Sequence, residues 1–263
     1  MARLKNPLRG PPPKEVPLPA APLVRVIAQV RFPAVLSVEQ PGFIAPFQEA
    51  LRDDFPVLRR EQSKVLVAPQ VQLASSPAWR FMDVEGTTRI SLAQEFLALE
   101  TVAYTSRAAF LGKLGAATTA LCECIRPRVM DRLGIRYIDR VTGKELAKLP
   151  QLVRPDVLGV GSGDLAGNVV HSVSESVFEA PEESARLLAR WGHLPANGTV
   201  DPTALEPIGE RSWVLDLDMF RQESRPLDAE TLLKDAQAYA QRMYSFFRWA
   251  VTDEFLTAFG GEP

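Results

Sequence analysis

Residues 23–32 place Val24, Val26, Ala28 and Val30 on one side of the chain and Arg25, Ile27, Gln29 and Arg31 on the other. A period of two is that of a β-strand, and Pro33 ends it. The period then changes. Phe43, Phe47, Leu51 and Phe55 recur every four residues, which predicts a helix with Pro41 or Pro46 in its first turn and Pro56 as its stop. Short strand-like runs follow at 64–73, 78–84, 88–92 and 96–104, with Val84-Glu85-Gly86-Thr87 as a tight turn between two of them. Consecutive strands joined by short links argue for an antiparallel meander. Ser106 is placed to cap a long helix reaching about residue 133, with Phe110, Leu114, Ala117, Leu121 and Ile125 on its apolar stripe. Pro127 is expected to kink or split it and Gly134 to stop it, with a strand at 135–141 next.

The second half repeats this scheme loosely. Residues 149–156 read as a linker, and 168–178 alternate as a strand. Residues 184–191 are ambiguous: Ala185, Leu187, Ala189 and Trp191 alternate, whereas Glu182–Arg186 and Gly192 suit a short helix. Residues 194–210 read as a loop and 211–220 as the clearest strand of this half. Asp228 is placed to cap a helix running to about residue 259, with Gly260 and Gly261 at its end. The pattern predicts an α+β fold with a mainly antiparallel sheet, in two loosely similar halves (23–148 and 149–263) each ending in a long helix. Phe110, Leu114, Leu121, Trp213, Leu215, Leu217, Met243 and Phe247 are expected in the core. Residues 1–22 are Pro-rich, without apolar periodicity. They are expected to form a flexible, solvated tail or an arm that docks on a partner.

Composition narrows the function classes. The net charge of −2 gives no overall preference for nucleic acid or anionic lipid. Of 30 basic residues only 7 are Lys, an Arg bias that points to GC-rich bacterial coding DNA rather than to phosphate recognition. Cys122 and Cys124, one residue apart, cannot close a useful disulfide loop. No apolar run is expected to approach membrane-spanning length and no signal-peptide pattern is evident, so a cytoplasmic location is expected.

Three segments carry a resemblance. They are Pro22-Leu23-Val24-Arg25-Val26 running into Gln29-Val30-Arg31-Phe32-Pro33, then Gly134-Ile135-Arg136-Tyr137-Ile138-Asp139-Arg140, and Trp213-Val214-Leu215-Asp216-Leu217-Asp218 before the last helix. In order and spacing over about residues 22–260 the chain resembles a sporadically distributed, uncharacterised bacterial protein family of this size. Arg25 stands where that family has an acid, and Ile135 and Asp139 stand where it has Leu and Asn. The resemblance implies a bacterial source and, through erratic distribution, a mobile or defence-related gene system. It implies no activity.

Several residues could carry chemistry. Asp216 and Asp218, two apart on a strand, share a face and could hold a divalent metal for phosphodiester cleavage. The plainer expectation is that they form a solvated face opposite a core of Trp213, Leu215, Leu217 and Met219. Arg136 and Arg140 also share a face and could grip a small anionic ligand. Surface ion pairs with Asp131 and Asp139 are the plainer expectation. Gly159-Val160-Gly161-Ser162-Gly163-Asp164 lacks the strand before and helix after that a phosphate loop requires. His171 and His193 sit in no nucleophile context, and the cysteines, two apart on a helix, diverge too far to share a metal. Trp79, Phe81, Tyr104, Tyr137 and Trp213 could stack bases but lack an interleaved basic run, so core filling is expected.

The residues therefore favour a non-enzymatic binding or assembly protein. The alternatives are an anionic-ligand binder using Arg136 and Arg140, and a metal-dependent phosphodiesterase or nuclease using Asp216 and Asp218. No cofactor is expected. A protein partner is, with self-association also open, and neither nucleic acid nor membrane is indicated.

Overall fold

A computed structural model describes residues 6–64 and 75–263. The expected strand at 64–73 lies essentially outside the described residues. Nine strands form a sheet in the order β2-β3-β4-β5-β1-β6-β9-β8-β7, and the strand pairings are antiparallel. The α+β class read from the alternation is the observed one. The strands are β1 (Leu23–Arg31), β2 (Val57–Lys64), β3 (Ser75–Met82), β4 (Thr88–Ala93), β5 (Phe96–Thr101), β6 (Val129–Val141), β7 (Ser172–Ala180), β8 (Ala185–Leu194) and β9 (Ser212–Pro226). The helices are α1 (Pro41–Leu51), α2 (Arg107–Ala120), the short α3 (Gly143–Ala147), α4 (Leu149–Leu152) and α5 (Pro155–Leu158), then α6 (Ala229–Ala250) and α7 (Asp253–Ala258). A meander followed by a long helix occurs twice, as β2–β5 with α2 and as β7–β9 with α6.

The chain forms two compact units, each drawn from separate segments. One comprises Met1–Arg25, Arg136–Phe220 and Ala238–Pro263, and the other Val26–Ile135 and Arg221–Gln237. Neither is a continuous half of the sequence.

In the second unit, Phe47 of α1 meets Phe81 of β3 at 5.2 Å between ring centroids, and Trp79 donates from Nε1 to the Val38 carbonyl at 2.6 Å. Asp83 explains the tight turn. Its carboxylate accepts from the Thr87 and Thr88 backbone amides, while Gly86 takes a φ of 71°. Ser106 caps α2 as expected, accepting from the Ala109 amide at 3.1 Å. The helix does not reach residue 133. It ends in a π turn, Leu121–Ile125, with Arg126 at φ 58°, and β6 already begins at Val129. Pro127 has no N–H to continue the ladder and disfavours helical geometry at Arg126, so it terminates the helix instead of kinking it. Gly134 falls inside β6. The span Arg107–Ile125 is long and apolar enough to cross a membrane by length and composition. Its stripe of Phe110, Leu114, Ala117, Leu121 and Ile125 is buried within the protein, as in a core helix.

In the first unit, residues 185–194 resolve the ambiguity as strand β8. Leu187 and Ala189 are buried, while Arg186 and Arg190 stand beside Glu179 and Glu175 of β7. Opposing ionic pairs on one side and apolar packing on the other favour a strand over one short helical turn. Residues 168–171 precede β7, so His171 is an exposed residue before the strand. Phe178 and Trp191 pack on Phe246 of α6 at 5.6 and 6.3 Å. The last helix breaks at Val251-Thr252: Thr252 caps α7 by accepting from the Phe255 amide at 3.2 Å, and Val251 bridges to Val153. Of the expected core, all but Phe247 are fully buried. Phe247 is half-buried between Tyr244 and Phe255. Each fully buried aliphatic side chain stabilises the fold by about 1.5–3 kcal/mol.

Within the proline-rich segment, residues 6–22 are not a free tail. Residues 6–22 lie as an extended strap on the first unit. The Val16 amide donates to Tyr244 Oη at 2.7 Å and the Ala20 amide to the Phe259 carbonyl at 3.2 Å. Proline fixes an extended backbone with few donors, and the partners come from α6 and from the turn after α7.

Candidate functional site

The strand positions predicted to carry chemistry converge on one face of the first unit. On β9, Val214, Leu215 and Leu217 are buried, and so is Asp216, only 1% exposed. The expected solvated acidic face is therefore incorrect for Asp216. Both sides of β9 are covered here, and the carboxylate is buried in an ionic network. Asp218 is half-buried opposite Leu188.

Arg136 of β6 supplies the counter-charge. Its Nε donates to Asp216 Oδ1 and its Nη2 to Asp216 Oδ2, both at 2.7 Å, and its Nη1 donates to Asp201 Oδ2 at 2.7 Å. Arg190 Nη1 approaches Asp216 Oδ2 at 3.5 Å, and its Nε bonds Glu175 Oε2 at 2.5 Å. A ladder Glu175–Arg190–Asp216–Arg136–Asp201 results, alternating in sign across β7, β8, β9, β6 and the loop at 195–211. Surface pairs of Arg136 and Arg140 with Asp131 and Asp139 are not what forms. Odd-numbered β6 residues point to the opposite side of the strand, which removes both acids from reach.

Arg140 donates from Nη2 to the Glu206 carbonyl at 2.7 Å. Arg25 of β1 reaches the Thr203 carbonyl and the Glu206 carboxylate, each at 3.5 Å. Three arginines thus hold one loop, which buries Ala204 and Leu205 and is braced internally by Thr199 Oγ1 donating to the Leu205 carbonyl at 2.6 Å. The anion gripped by Arg136 is the protein's own Asp201 and Asp216.

Electrostatics follow the geometry. Burial alone would raise the Asp201 carboxyl, but bonds from Thr203 and Arg136 outweigh it and hold the group at about 2. Arg136 is held above its ordinary value because the bonds to Asp216 and Asp201 exceed its desolvation. Asp139, on the other side of β6, is pushed up to about 7 by burial. A divalent cation at Asp216 would lie against the guanidinium groups of Arg136 and Arg190. Among the described residues no group of three or more His, Cys, Asp or Glu side chains is placed to hold a metal ion.

The other candidates are packing elements. Gly159–Ser162 form a 3-10 turn after α5, and Gly161 is buried beside His193, whose imidazole is pushed down by burial and by Arg211. Cys122 and Cys124 are half-buried in the π turn, and burial raises both thiols. Trp79, Phe81 and Trp213 are core residues, while Tyr104 and Tyr137 are half-buried.

A second ionic centre was missed in the sequence. Arg242 of α6 is 5% exposed and bonds Glu183 through Nε at 2.6 Å, Glu182 through Nη2 at 2.7 Å, and the Pro7 and Gly10 carbonyls through Nη1 at 3.2 and 3.1 Å. It clamps the strap to the β7–β8 turn. The available signal was spacing: Arg242 is three residues after Tyr239 and four before Phe246, inside the apolar stripe.

What remains open is an edge. β7 is the terminal strand of the sheet order beside β8, with Ser174, Glu175, Val177 and Glu179 exposed. Among the described residues, four of the seven exposed large apolar side chains fall between 160 and 177: Val160, Leu165, Val170 and Val177. No protein-family model matches this chain, and no curated protein matches it.

Proposed function

We propose that the protein is a non-enzymatic binding and assembly protein that works through the β7 edge and the apolar segment leading into it. The observation that carries this reading is the concentration of exposed apolar residues at 160–177 beside a terminal strand. Exposed apolar groups on an unpaired edge are costly in an isolated protein and mark surfaces where a partner adds. The charged residues support the same reading, since Arg136 and Arg140 hold the protein's own loop and Asp216 is paired with Arg136. A bacterial cytoplasmic setting, within a mobile or defence-related gene system, extends the proposal through the family resemblance.

The test is a photo-crosslinking residue at Val177 in the full chain, expressed in its source cells, with the more exposed Val84 as a control in the other unit. A discrete protein adduct from Val177 and none from Val84 is expected. No adduct, or the same diffuse products from both positions, removes the reading.

A further inference from the structure

We infer that the surface of the first unit that holds the N-terminal strap is a binding site for a proline-rich, extended segment of a partner protein, and that residues 6–22 occupy it as a built-in competitor. The site is distinct from the β7 edge, and its occupancy is independent of the partner proposed there.

The surface grips main chain. Arg242 donates to the Pro7 and Gly10 carbonyls, and Glu182 Oε1 accepts from the Gly10 amide at 3.0 Å. Tyr244 Oη accepts from the Val16 amide and donates to the Lys14 carbonyl at 3.4 Å, and the Phe259 carbonyl accepts from the Ala20 amide. Each of these bonds ends on a main-chain atom of the strap, so none of them selects a side chain. They require an extended chain whose carbonyls are free of internal bonds, which is what polyproline II geometry presents. Pro13 and Val16, three apart as on one edge of such a helix, are half-buried, while Pro11, Pro12, Lys14, Glu15 and Pro17 are exposed. Gly261 gives the segment its room. A Cβ there would lie 2.6 Å from Leu18 Cδ2 and 3.0 Å from Val16 Cγ1.

The strap is an imperfect occupant. Among residues 6–22 only Pro7 is buried, so little apolar area holds the segment down. Glu183, 9% exposed, bonds Arg242 through Oε1, while its buried Oε2 has no hydrogen-bond partner among the described residues. A buried carboxylate oxygen without a donor is costly, so a proline-rich segment that brings a donor to Glu183 binds better than the strap itself. The turn at 18–21, closed by the Ala21 amide on the Leu18 carbonyl at 3.1 Å, lets the preceding residues lift while β1 stays paired.

The probe is a labelled synthetic peptide of residues 6–21, beside a second peptide with its prolines replaced by alanine. In the full chain, Gly10→Pro with Val16→Pro deletes the strap amides that bond Glu182 and Tyr244 and leaves the receiving side chains unaltered. Gly10 also has a φ of 76°, which proline cannot adopt. By fluorescence anisotropy this opened chain should bind the proline peptide about tenfold more tightly than the unaltered chain does, because its internal competitor is weakened. Gly261→Val in the opened chain should lower that affinity about tenfold by filling the place of Leu18 and Val16. The alanine peptide should bind about tenfold more weakly, since it loses more chain entropy on ordering. A readout without variants is amide exchange of the unaltered chain, in which excess unlabelled proline peptide should speed exchange at Gly10 and Val16. Equal affinities of the opened and unaltered chains, equal binding of the two peptides, or unchanged binding by Gly261→Val would each overturn the inference. A peptide that binds while the strap keeps its protection binds elsewhere and overturns it too.

Discussion

Arg136 and Asp216 meet as a bidentate pair, Nε to Oδ1 and Nη2 to Oδ2 at 2.7 Å each, although eighty residues separate them in the chain. Removing one partner leaves the other charge buried without its match, which costs about 3–5 kcal/mol. Arg136→Ala should therefore be strongly destabilising, and Arg136→Lys should recover little because an ammonium cannot reproduce the planar fork. The combined change Arg136→Met with Asp216→Leu should cost much less than the sum of its parts. Urea denaturation of the four proteins measures this. Additive losses would mean that the pair is not coupled.

Asp139 gives a pH dependence of definite sign. Its carboxyl is pushed up to about 7 in the folded protein by burial. Between about pH 4 and 7 the native state keeps a proton that the unfolded chain has released, so this group makes stability fall as pH rises through that window. Each pH unit within it is worth at most about 1.4 kcal/mol. Asp139→Asn cannot ionise and should flatten the decline, gaining on the wild type at about pH 8 relative to about pH 5. Denaturation midpoints at the two pH values test it, and parallel shifts in both proteins would contradict it.

Arg242 determines whether the N-terminal strap stays in place. Arg242→Ala removes the donors to the Pro7 and Gly10 carbonyls and leaves Glu183, 9% exposed, without its cation. The expected result is faster amide exchange at Gly10 and Val16, and new protease cleavage within residues 7–16. Tyr244→Phe removes the bond to the Val16 amide and the weaker one to the Lys14 carbonyl, and should cost about 1 kcal/mol. Mass-spectrometric exchange distinguishes the two. Unchanged protection in Arg242→Ala would show that the remaining contacts, among them the bonds to Tyr244 and Phe259, hold the strap without Arg242.

The local elements were legible because they depend on neighbours in sequence. Alternation at 23–32 and 212–220 requires strands in any antiparallel sheet, and the four-residue spacing of Phe47, Leu51 and Phe55 requires a helical face. The boundaries that failed were settled by competition between local signals. Pro127 ended α2 where the apolar stripe could have continued, and Thr252 started a new helix where the stripe of α6 could have run on.

By itself the sequence determined the class of fold, the capping of α2 by Ser106 and most of the buried core, since each follows from periodicity and side-chain chemistry within a few residues. Only the tertiary structure decided which charges meet. Arg136, Asp201, Arg190 and Asp216 lie on separate elements, and their pairing depends on the strand order β6-β9-β8 and on the path of the loop at 195–211. Tertiary contact likewise turned the proline-rich segment into a strap, because its hydrogen-bonding partners Arg242, Tyr244 and Phe259 lie more than two hundred residues away. A segment with few local hydrogen bonds takes its order from the surface it lies on.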